Sequence, residues 1–257
     1  MSHMIEEYDG FIFTHIPKCG GTSFRDFINR SAKHSGIPRR NRYIPGQNWL
    51  SVEKDYYRLD HKARLKLHQK KYRVVAMHVD YDWHLKAAPY LLSPYYYTIL
   101  RHPVSRVISH YQFFNKQKGR GGVKGLSLGT LDKKTREDIL LTSANTSIIY
   151  VTGRGIKGRR VTKDMMEDAL DILANRYGGF GLLEEITSSI QLLHESKPRW
   201  LVLSQGIEHK NAGLGHPKSL QTNLIDDIKD LNRWGIEFYE HAKILFNKRV
   251  DRLSTQC

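Results

Sequence analysis

The chain has 257 residues, and its 41 Lys and Arg against 26 Asp and Glu give a formal charge of +15 with His neutral. Hydrophobic residues make up 40% of it, which excludes wholesale disorder, and a fold of this size buries roughly 70–75% of its extended-chain surface. The positive charge favours an anionic partner and leaves nucleic acid, acidic glycan, anionic lipid and a polyphosphorylated small molecule open. The alternative is a basic, solvated surface.

The composition also limits the compartment and the metal content. Cys19 and Cys257 are the two cysteines, too few for a disulfide framework, so we expect a reducing compartment and a cytoplasmic location. The sequence has neither the clustered Cys and His residues of a zinc site nor the roughly 18 consecutive apolar residues of a membrane span. We therefore predict no metal and no membrane span. Residues 1–4, MSHM, have the composition of a vector-derived extension, which leaves one domain over 5–257.

The first half of the chain alternates predicted strands and helices. Gly10–Ile16 has the pattern of a strand, and a helix follows that Thr22 or Ser23 is expected to cap. An exposed basic loop is predicted at His34–Gly46 and a helix at about Val52–Gln69. Strands are predicted at Tyr72–Val79 and Tyr95–Leu100, and a helix from Pro103 onwards.

The second half continues the alternation. Gly119–Gly129 contains five glycines and is predicted to be a mobile loop, a candidate lid. Helices are then predicted for about Thr135–Val151 and Thr162–Asn175, a strand for Phe180–Leu183 and a helix for the turns through Ile186 to Leu193. A strand is predicted for Trp200–Ser204 and a helix for Asn223–Arg252. Alternation without hairpin signals predicts an α/β fold: a single domain with a central parallel sheet flanked by helices.

The first candidate site lies where the first strand meets the first helix, in His15–Phe24, HIPKCGGTSF. Gly20 and Gly21 permit close backbone approach, the first helical N–H groups favour an anion, and Lys18 adds a full charge. This is a P-loop-like strand-loop-helix phosphate site, although the lysine precedes the glycines and so departs from a Walker A loop. The alternative is a glycine-containing turn with an incidental lysine.

The second candidate site follows another predicted strand, in Arg101–Tyr111. Ligands of open α/β sheets bind at the carboxyl ends of the strands. Arg101 offers a planar, always charged fork there, and Ser109 offers a hydroxyl two helical turns later. The alternative is that Arg101 pairs with a carboxylate and Ser109 is an ordinary surface residue.

Together the two sites resemble sulfotransferases that use 3′-phosphoadenosine 5′-phosphosulfate (PAPS), especially the branch of the heparan and uronosyl 2-O-sulfotransferases and their bacterial relatives. HIPKCGGTSF is similar to the family's 5′-phosphosulfate loop, and TILRHPVSRVISHYQFF to its 3′-phosphate strand and helix. Weaker similarities cover Met77–Tyr81, Gly179–Leu193 and Asn232–Phe246. Ala76 stands where the uronosyl enzymes have another histidine, which is a departure from that branch.

The resemblance implies a role for each matching residue. Lys18 would contact the transferring sulfuryl group and its bridging oxygen, and the loop Cys19, Gly20, Gly21, Thr22 and Ser23 would hold the 5′-phosphate. Arg101 and Ser109 would hold the 3′-phosphate, so the expected product is 3′-phosphoadenosine 5′-phosphate (PAP). His78 matches the catalytic histidine of the family's Gly-His-Val segment and would be the general base; His15 is the rival base, ahead of His84 and His102.

The acceptor is open. The resemblance implies a hydroxyl, and a carbohydrate is the expected acceptor. The basic segments Arg39–Arg42, Lys116–Lys124 and Arg154–Arg160 would suit an anionic glycan or be solvated surface, and Lys210 and Lys218 are candidates for a loop that closes over the nucleotide. Tyr95, Tyr96 and Tyr97 are expected in the core. The alternatives are a P-loop-like nucleotide kinase, which the position of Lys18 disfavours, and a nucleic-acid-binding module, for which no known motif is present.

Overall fold

A parallel sheet forms the centre of the molecule. The computed structural model describes residues 8–44, 71–116, 133–154, 160–207 and 222–255. Within these residues the strands are β1 Gly10–Thr14, β2 Arg42–Tyr43, β3 Val74–Met77, β4 Pro94–Leu100 and β5 Gly179–Leu182. They pair in the order β2-β3-β1-β4-β5, and every pairing is parallel. The predicted α/β fold with a parallel sheet is therefore confirmed.

Helices connect the strands and cover the sheet. The α-helices of the described residues are α1 Gly21–His34, α2 Trp83–Ala87, α3 Pro103–Lys116, α4 Lys133–Leu141, α5 Thr146–Thr152, α6 Lys163–Asn175, α7 Ile186–Ser196, α8 Thr222–Leu231 and α9 Arg233–Ser254. None of these helices is long and apolar enough to cross a membrane.

Alternate residues of the strands supply the two halves of the core. In β1, Phe11 and Phe13 join a buried cluster with Phe24 and Phe27 of α1, whereas Ile12 joins the cluster on the opposite face with residues of α5, α6 and α9. This is the alternation that a strand with both faces covered requires. The side chains of Tyr95, Tyr96 and Tyr97 are at most 2% exposed, so their prediction as core residues is confirmed.

The predictions of an exposed loop at His34–Gly46 and of a strand at Trp200–Ser204 are wrong in part or in full. Arg42–Tyr43 pairs with β3 as a short edge strand instead of lying in an exposed loop. Trp200–Ser204 is not a strand: its N–H groups bond to serines in α1 and at its C-cap, with Val202 donating to Ser35 Oγ at 2.8 Å and Ser204 to Ser31 Oγ at 2.9 Å. Serine hydroxyls of the neighbouring helix thus satisfy backbone groups that a strand would pair with another strand.

Helix boundaries differ where asparagine side chains bond to the backbone. The predicted helix over Thr135–Val151 is two helices, α4 and α5, and the one over Asn223–Arg252 is α8 and α9. At the two breaks, Asn145 N donates to Asn232 Oδ1 at 2.9 Å, and Gly235 N donates to Asn145 Oδ1 at 2.8 Å. These bonds replace helical ones and tie the starts of α5 and α9 together.

Several predictions lie outside the described residues. They are the helix at about Val52–Gln69, the lid loop Gly119–Gly129, the lysines Lys210 and Lys218, Cys257 and most of the basic segments Lys116–Lys124 and Arg154–Arg160.

Candidate active site

The carboxyl ends of three neighbouring strands bring the predicted site residues to one edge of the sheet. β1 lies between β3 and β4, with Thr14 opposite both Met77 and Thr98. Lys18 therefore follows the central strand, and His78 and Arg101 follow its two neighbours. Ser109 is half-buried on α3, which begins three residues after β4 ends. Parallel strands place ligand-binding residues at this edge, as the sequence analysis expected.

The loop between β1 and α1 has an unusual backbone. Lys18 has φ +69° and Gly20 has φ +73°, both in the left-handed region. Gly20, and not the predicted Thr22 or Ser23, occupies the N-cap position, and no side chain caps the helix. The first turn of α1 contains no acidic residue, and Thr22 and Ser23 lie half-buried within it. The amino end of α1 thus presents N–H groups and a positive dipole to this edge.

Lys18 is a partly buried amine whose positive charge is disfavoured by burial and by a neighbouring arginine. Its amine lies 4.0 Å from the centre of the Phe113 ring of α3. Burial and, secondly, the Arg101 guanidinium lower the pKa of Lys18 from its ordinary 10.5 to about 8. An amine in this state gains from an anion beside it, because the anion stabilises the protonated form.

Arg101 joins the two predicted phosphate sites directly. Its Nη1 donates to the Lys18 carbonyl oxygen at 3.1 Å, so one edge of the guanidinium fixes the loop between β1 and α1. The Cys19 thiol donates to the Pro17 carbonyl oxygen at 3.9 Å. Burial raises the pKa of the Cys19 thiol to about 12, so this cysteine stays protonated and serves as a packed, neutral residue.

Arg106 of α3 is a component that the sequence analysis did not identify. Its side chain is 1% exposed, and its Nη2 donates to the Ser143 carbonyl oxygen, while its Nη1 has no hydrogen-bond partner among the described residues. Burial, opposed by nearby Cys19, lowers the pKa of Arg106 to about 10. The available signal was an arginine beside the apolar positions Val107 and Ile108 of one helix.

A negative charge is scarce around these cations. Within the described residues, no carboxylate oxygen lies within 4.0 Å of a side-chain nitrogen of Lys18, Arg101 or Arg106. Glu184, the nearest acid that influences Cys19, is engaged elsewhere: its Oε1 accepts from His102 N at 3.1 Å and its Oε2 from the Tyr239 hydroxyl at 2.9 Å. Partly or fully buried cations without a carboxylate beside them are characteristic of anion sites.

His78 is placed on the β3 side of Lys18. Its Nδ1 lies 2.6 Å from the His15 carbonyl oxygen. A carbonyl oxygen only accepts, so Nδ1 carries the hydrogen, and the lone pair of the neutral imidazole resides on Nε2. The His78 side chain is half-buried, which leaves part of it accessible from the strand edge.

The rival histidines occupy other settings. His15 is 6% exposed, and burial followed by the charges of His78, Arg25 and Lys18 holds its pKa well below 6.5. His84 is buried with its Nδ1 2.7 Å from the Tyr96 hydroxyl, and burial lowers its pKa. The His102 ring lies against Tyr239, with 5.4 Å between the ring centres.

Comparison with known proteins decides the family. A family model described as the sulfotransferase family matches residues 2–166, more than half of the chain. The chain belongs to the sulfotransferase family. The matched part of this sulfotransferase includes Lys18, His78, Arg101 and Ser109, whereas Glu184 and Tyr239 lie beyond it. The chain matches none of the curated proteins with which it was compared.

Membership makes this sulfotransferase a transferase enzyme, and its family generally takes the sulfuryl group from PAPS. In the part of the chain that the structure describes, no group of three or more His, Cys, Asp and Glu side chains could hold a metal ion.

Proposed function

We propose that this sulfotransferase transfers the sulfuryl group of PAPS to an acceptor hydroxyl, with Lys18 and His78 as its catalytic residues. The observation that carries the proposal is the convergence of Lys18, Arg101 and His78 at the ends of three adjacent strands. Two cations and a histidine with its lone pair on Nε2 are the groups that sulfuryl transfer to a hydroxyl requires.

The donor fits the charge distribution. PAPS carries about four negative charges, from a 3′-phosphate and a 5′-phosphosulfate. We assign the 5′-phosphate to the N–H groups and hydroxyls of residues 19–23, namely Cys19, Gly20, Gly21, Thr22 and Ser23, and the 3′-phosphate to Arg101 and Ser109. The uncapped amino end of α1 and the absence of a described carboxylate beside the cations support this assignment. When bound, PAPS supplies an activated sulfuryl group.

The reaction needs one bond formed and one broken. The acceptor oxygen forms a bond to sulfur, the bond from sulfur to the 5′-phosphate oxygen breaks, and the products are a sulfate ester and PAP. Lys18 stabilises the charge that develops on the leaving phosphate oxygen. The bound anion keeps the Lys18 amine in the protonated form that this role needs. Positioning and charge stabilisation dominate this type of transfer.

His78 receives the proton of the acceptor hydroxyl on Nε2. The hydrogen bond from Nδ1 to the His15 carbonyl supports this role because it orients the ring and leaves Nε2 as the accepting nitrogen. A general base of this kind contributes about 10²- to 10⁴-fold to the rate. His15 is disfavoured as the base because its pKa is held well below 6.5 by burial.

The acceptor we propose is a carbohydrate hydroxyl, with an anionic glycan or glycoconjugate as the partner class. Similarity of the two motifs to the heparan and uronosyl 2-O branch supports it. Ala76 limits the transfer of uronosyl specificity, because it is fully buried in β3 where that branch has a histidine. A single sulfotransferase domain over 5–257 and a cytoplasmic location stay predictions.

Calorimetric titration with PAP in EDTA, set against ATP with Mg²⁺, tests the donor assignment. Tight binding of PAP that needs no metal, with weaker binding of ATP, is the expected result; preference for ATP with Mg²⁺ would return the case to a nucleotide kinase. Binding to neither, with affinity for nucleic acid that falls steeply with salt, would indicate the nucleic-acid-binding alternative.

Variants test the roles once an acceptor is found. Lys18→Ala and His78→Ala are both expected to abolish turnover in a folded protein, and Arg101→Ala to weaken PAP binding most. Turnover of His78→Ala near the wild-type rate would refute the assignment of the base. The matched control is His84→Gln, since His84 is a buried histidine that bonds to Tyr96.

A further inference from the structure

His15 contacts His78 through its backbone and through its ring. The pairing of β1 with β3 continues past Thr14, where His15 N donates to the Met77 carbonyl at 2.9 Å. His78, the next residue after Met77, then reaches the His15 carbonyl with Nδ1. The two imidazoles also stack, with 4.0 Å between ring centres and 23° between planes. The sheet register therefore places one histidine directly on the other.

The ring of His15 is held in place from other directions as well. It stacks on Phe13, with 5.8 Å between the ring centres and 20° between planes. It also lies so close to Gly21 that a Cβ there would be 1.9 Å from its Cδ2 and 2.2 Å from its Nε2. Only glycine leaves space for the imidazole at the start of α1. His15 is thus a rigid support, and the half-buried His78 ring rests on it.

The groups that face His15 disfavour a proton on its ring. Arg25 of α1, Lys18 of the loop and His78 itself each disfavour a charge on His15, which is also more deeply buried. Tyr150 of α5 faces His78, with 6.5 Å between ring centres. The two rings meet edge to face, at 68° between their planes. His15 therefore stays neutral beside His78.

We propose that His15 is a positioning residue, whose stacked ring and backbone carbonyl hold His78 with Nδ1 protonated and Nε2 directed to accept the proton of the acceptor hydroxyl. The inference rests on the proposed role of His78 as the general base. It assigns a function to a histidine that the sequence suggested only as a competing base, and it explains why Gly21 must lack a side chain.

The tautomer of His78 tests this without a reaction. In protein labelled with ¹⁵N-histidine, the spectrum of His78→Gln identifies the His78 signals by their loss. Wild-type protein is expected to show neutral His78 protonated on Nδ1. His15→Phe keeps a stacking ring and the carbonyl, and is expected to keep that tautomer. His15→Ala removes the ring, and is expected to shift His78 to the Nε2-protonated form that free imidazole side chains prefer.

Each contrary outcome has a definite meaning. Persistence of the Nδ1-protonated form in His15→Ala, or its loss in a folded His15→Phe, would overturn the positioning role. If His15→Ala does not fold, Gly21→Ala displaces the same ring while retaining both histidines, and must then shift the tautomer. PAP titration and thermal unfolding of each variant report whether the loop and the fold survive.

Turnover separates this inference from the proposed function. With an acceptor in hand, His15→Phe is expected to retain most of the rate and His15→Ala to lose about 10- to 100-fold. A His15→Phe protein that is inactive with an unchanged His78 tautomer would make His15 itself the base. Full turnover by His78→Gln, with the tautomers behaving as expected, would refute the base assignment and leave only the structural contact.

Discussion

Raising the pH from about 7 to about 9 is expected to weaken PAP binding about tenfold, because Lys18 loses its proton over this range. With a pKa of about 8, Lys18 is about 90% protonated at the lower pH and about 10% at the higher one. If PAP binds only the protonated form, its affinity follows that fraction. Conversely, binding raises the pKa of Lys18 and takes up a proton near pH 8.

The ligand and the other described groups of the loop keep their charge nearly constant between about pH 7 and about pH 9, so the titration of Lys18 can be measured. The phosphates of PAP ionise near pH 6, so the charge of the ligand is nearly constant above about pH 7. The Cys19 thiol, with a pKa of about 12, stays neutral, and His15 is uncharged throughout. Lys18 is thus the group in the loop whose charge changes between these two pH values.

Calorimetry at several pH values, in buffers of different ionisation enthalpy, measures both the affinity and the proton uptake. Lys18→Arg is the matched control, because a guanidinium keeps its charge and should make the affinity nearly independent of pH. Equal affinity of the wild type at both ends of the range, or the same slope in Lys18→Arg, would refute the reasoning. Such a result would mean that Lys18 titrates normally or stands away from the phosphates.

The remaining predictions concern stability and the supporting residues. Because folding lowers the pKa of Lys18, the unfolded chain binds this proton more tightly, and the free energy of unfolding rises between about pH 8 and about pH 10.5. Lys18→Met should therefore unfold at an equal or higher temperature than the wild type, and a lower unfolding temperature would contradict this. Arg106→Met should weaken PAP binding several-fold while Arg106→Lys retains most of the affinity, because Arg106 acts on the ligand through its positive charge. Equal affinities of the two variants in calorimetry would exclude that contribution. Glu184→Ala should cost about 1–3 kcal/mol in urea unfolding because it removes the acceptor of His102 N–H and Tyr239 O–H, and Glu184→Gln should cost less; the reverse order would argue against these bonds. Gly21→Ala should cost about 1–3 kcal/mol by the same measurement, since its Cβ would overlap the His15 ring, whereas Gly36→Ala, where the space is open but φ is +72°, reports strain alone; equal costs would remove the role of the overlap.

The local signals in the sequence were sufficient for the main elements of the site. Glycines after a strand, a lysine among them and an arginine at the next strand end are short-range patterns, so Lys18 and Arg101 could be identified from the sequence. The pattern of alternating strands and helices predicted the parallel sheet for the same reason, because periodicity is a property of a few neighbouring residues. The helix cap was predicted at Thr22 or Ser23 on residue preference, but the left-handed backbone at Gly20 starts the helix two or three residues earlier.

Contacts between distant segments were beyond such patterns. The strand expected at Trp200–Ser204 fails because serines of α1, about 170 residues away in the chain, supply its hydrogen bonds. The buried cation Arg106 and the engaged carboxylate Glu184 likewise acquire their meaning from partners on other elements.

By itself the sequence determined the α/β class, the two anion-binding motifs and four candidate histidines, since each is written in neighbouring residues. Only the tertiary structure decided which histidine has its lone pair on Nε2 and which is buried as a support. The physical reason is the register of β1 against β3, which sets His15 beneath His78 and fixes the hydrogen bond between them. Strand register is a property of the assembled sheet, and it depends on the whole core.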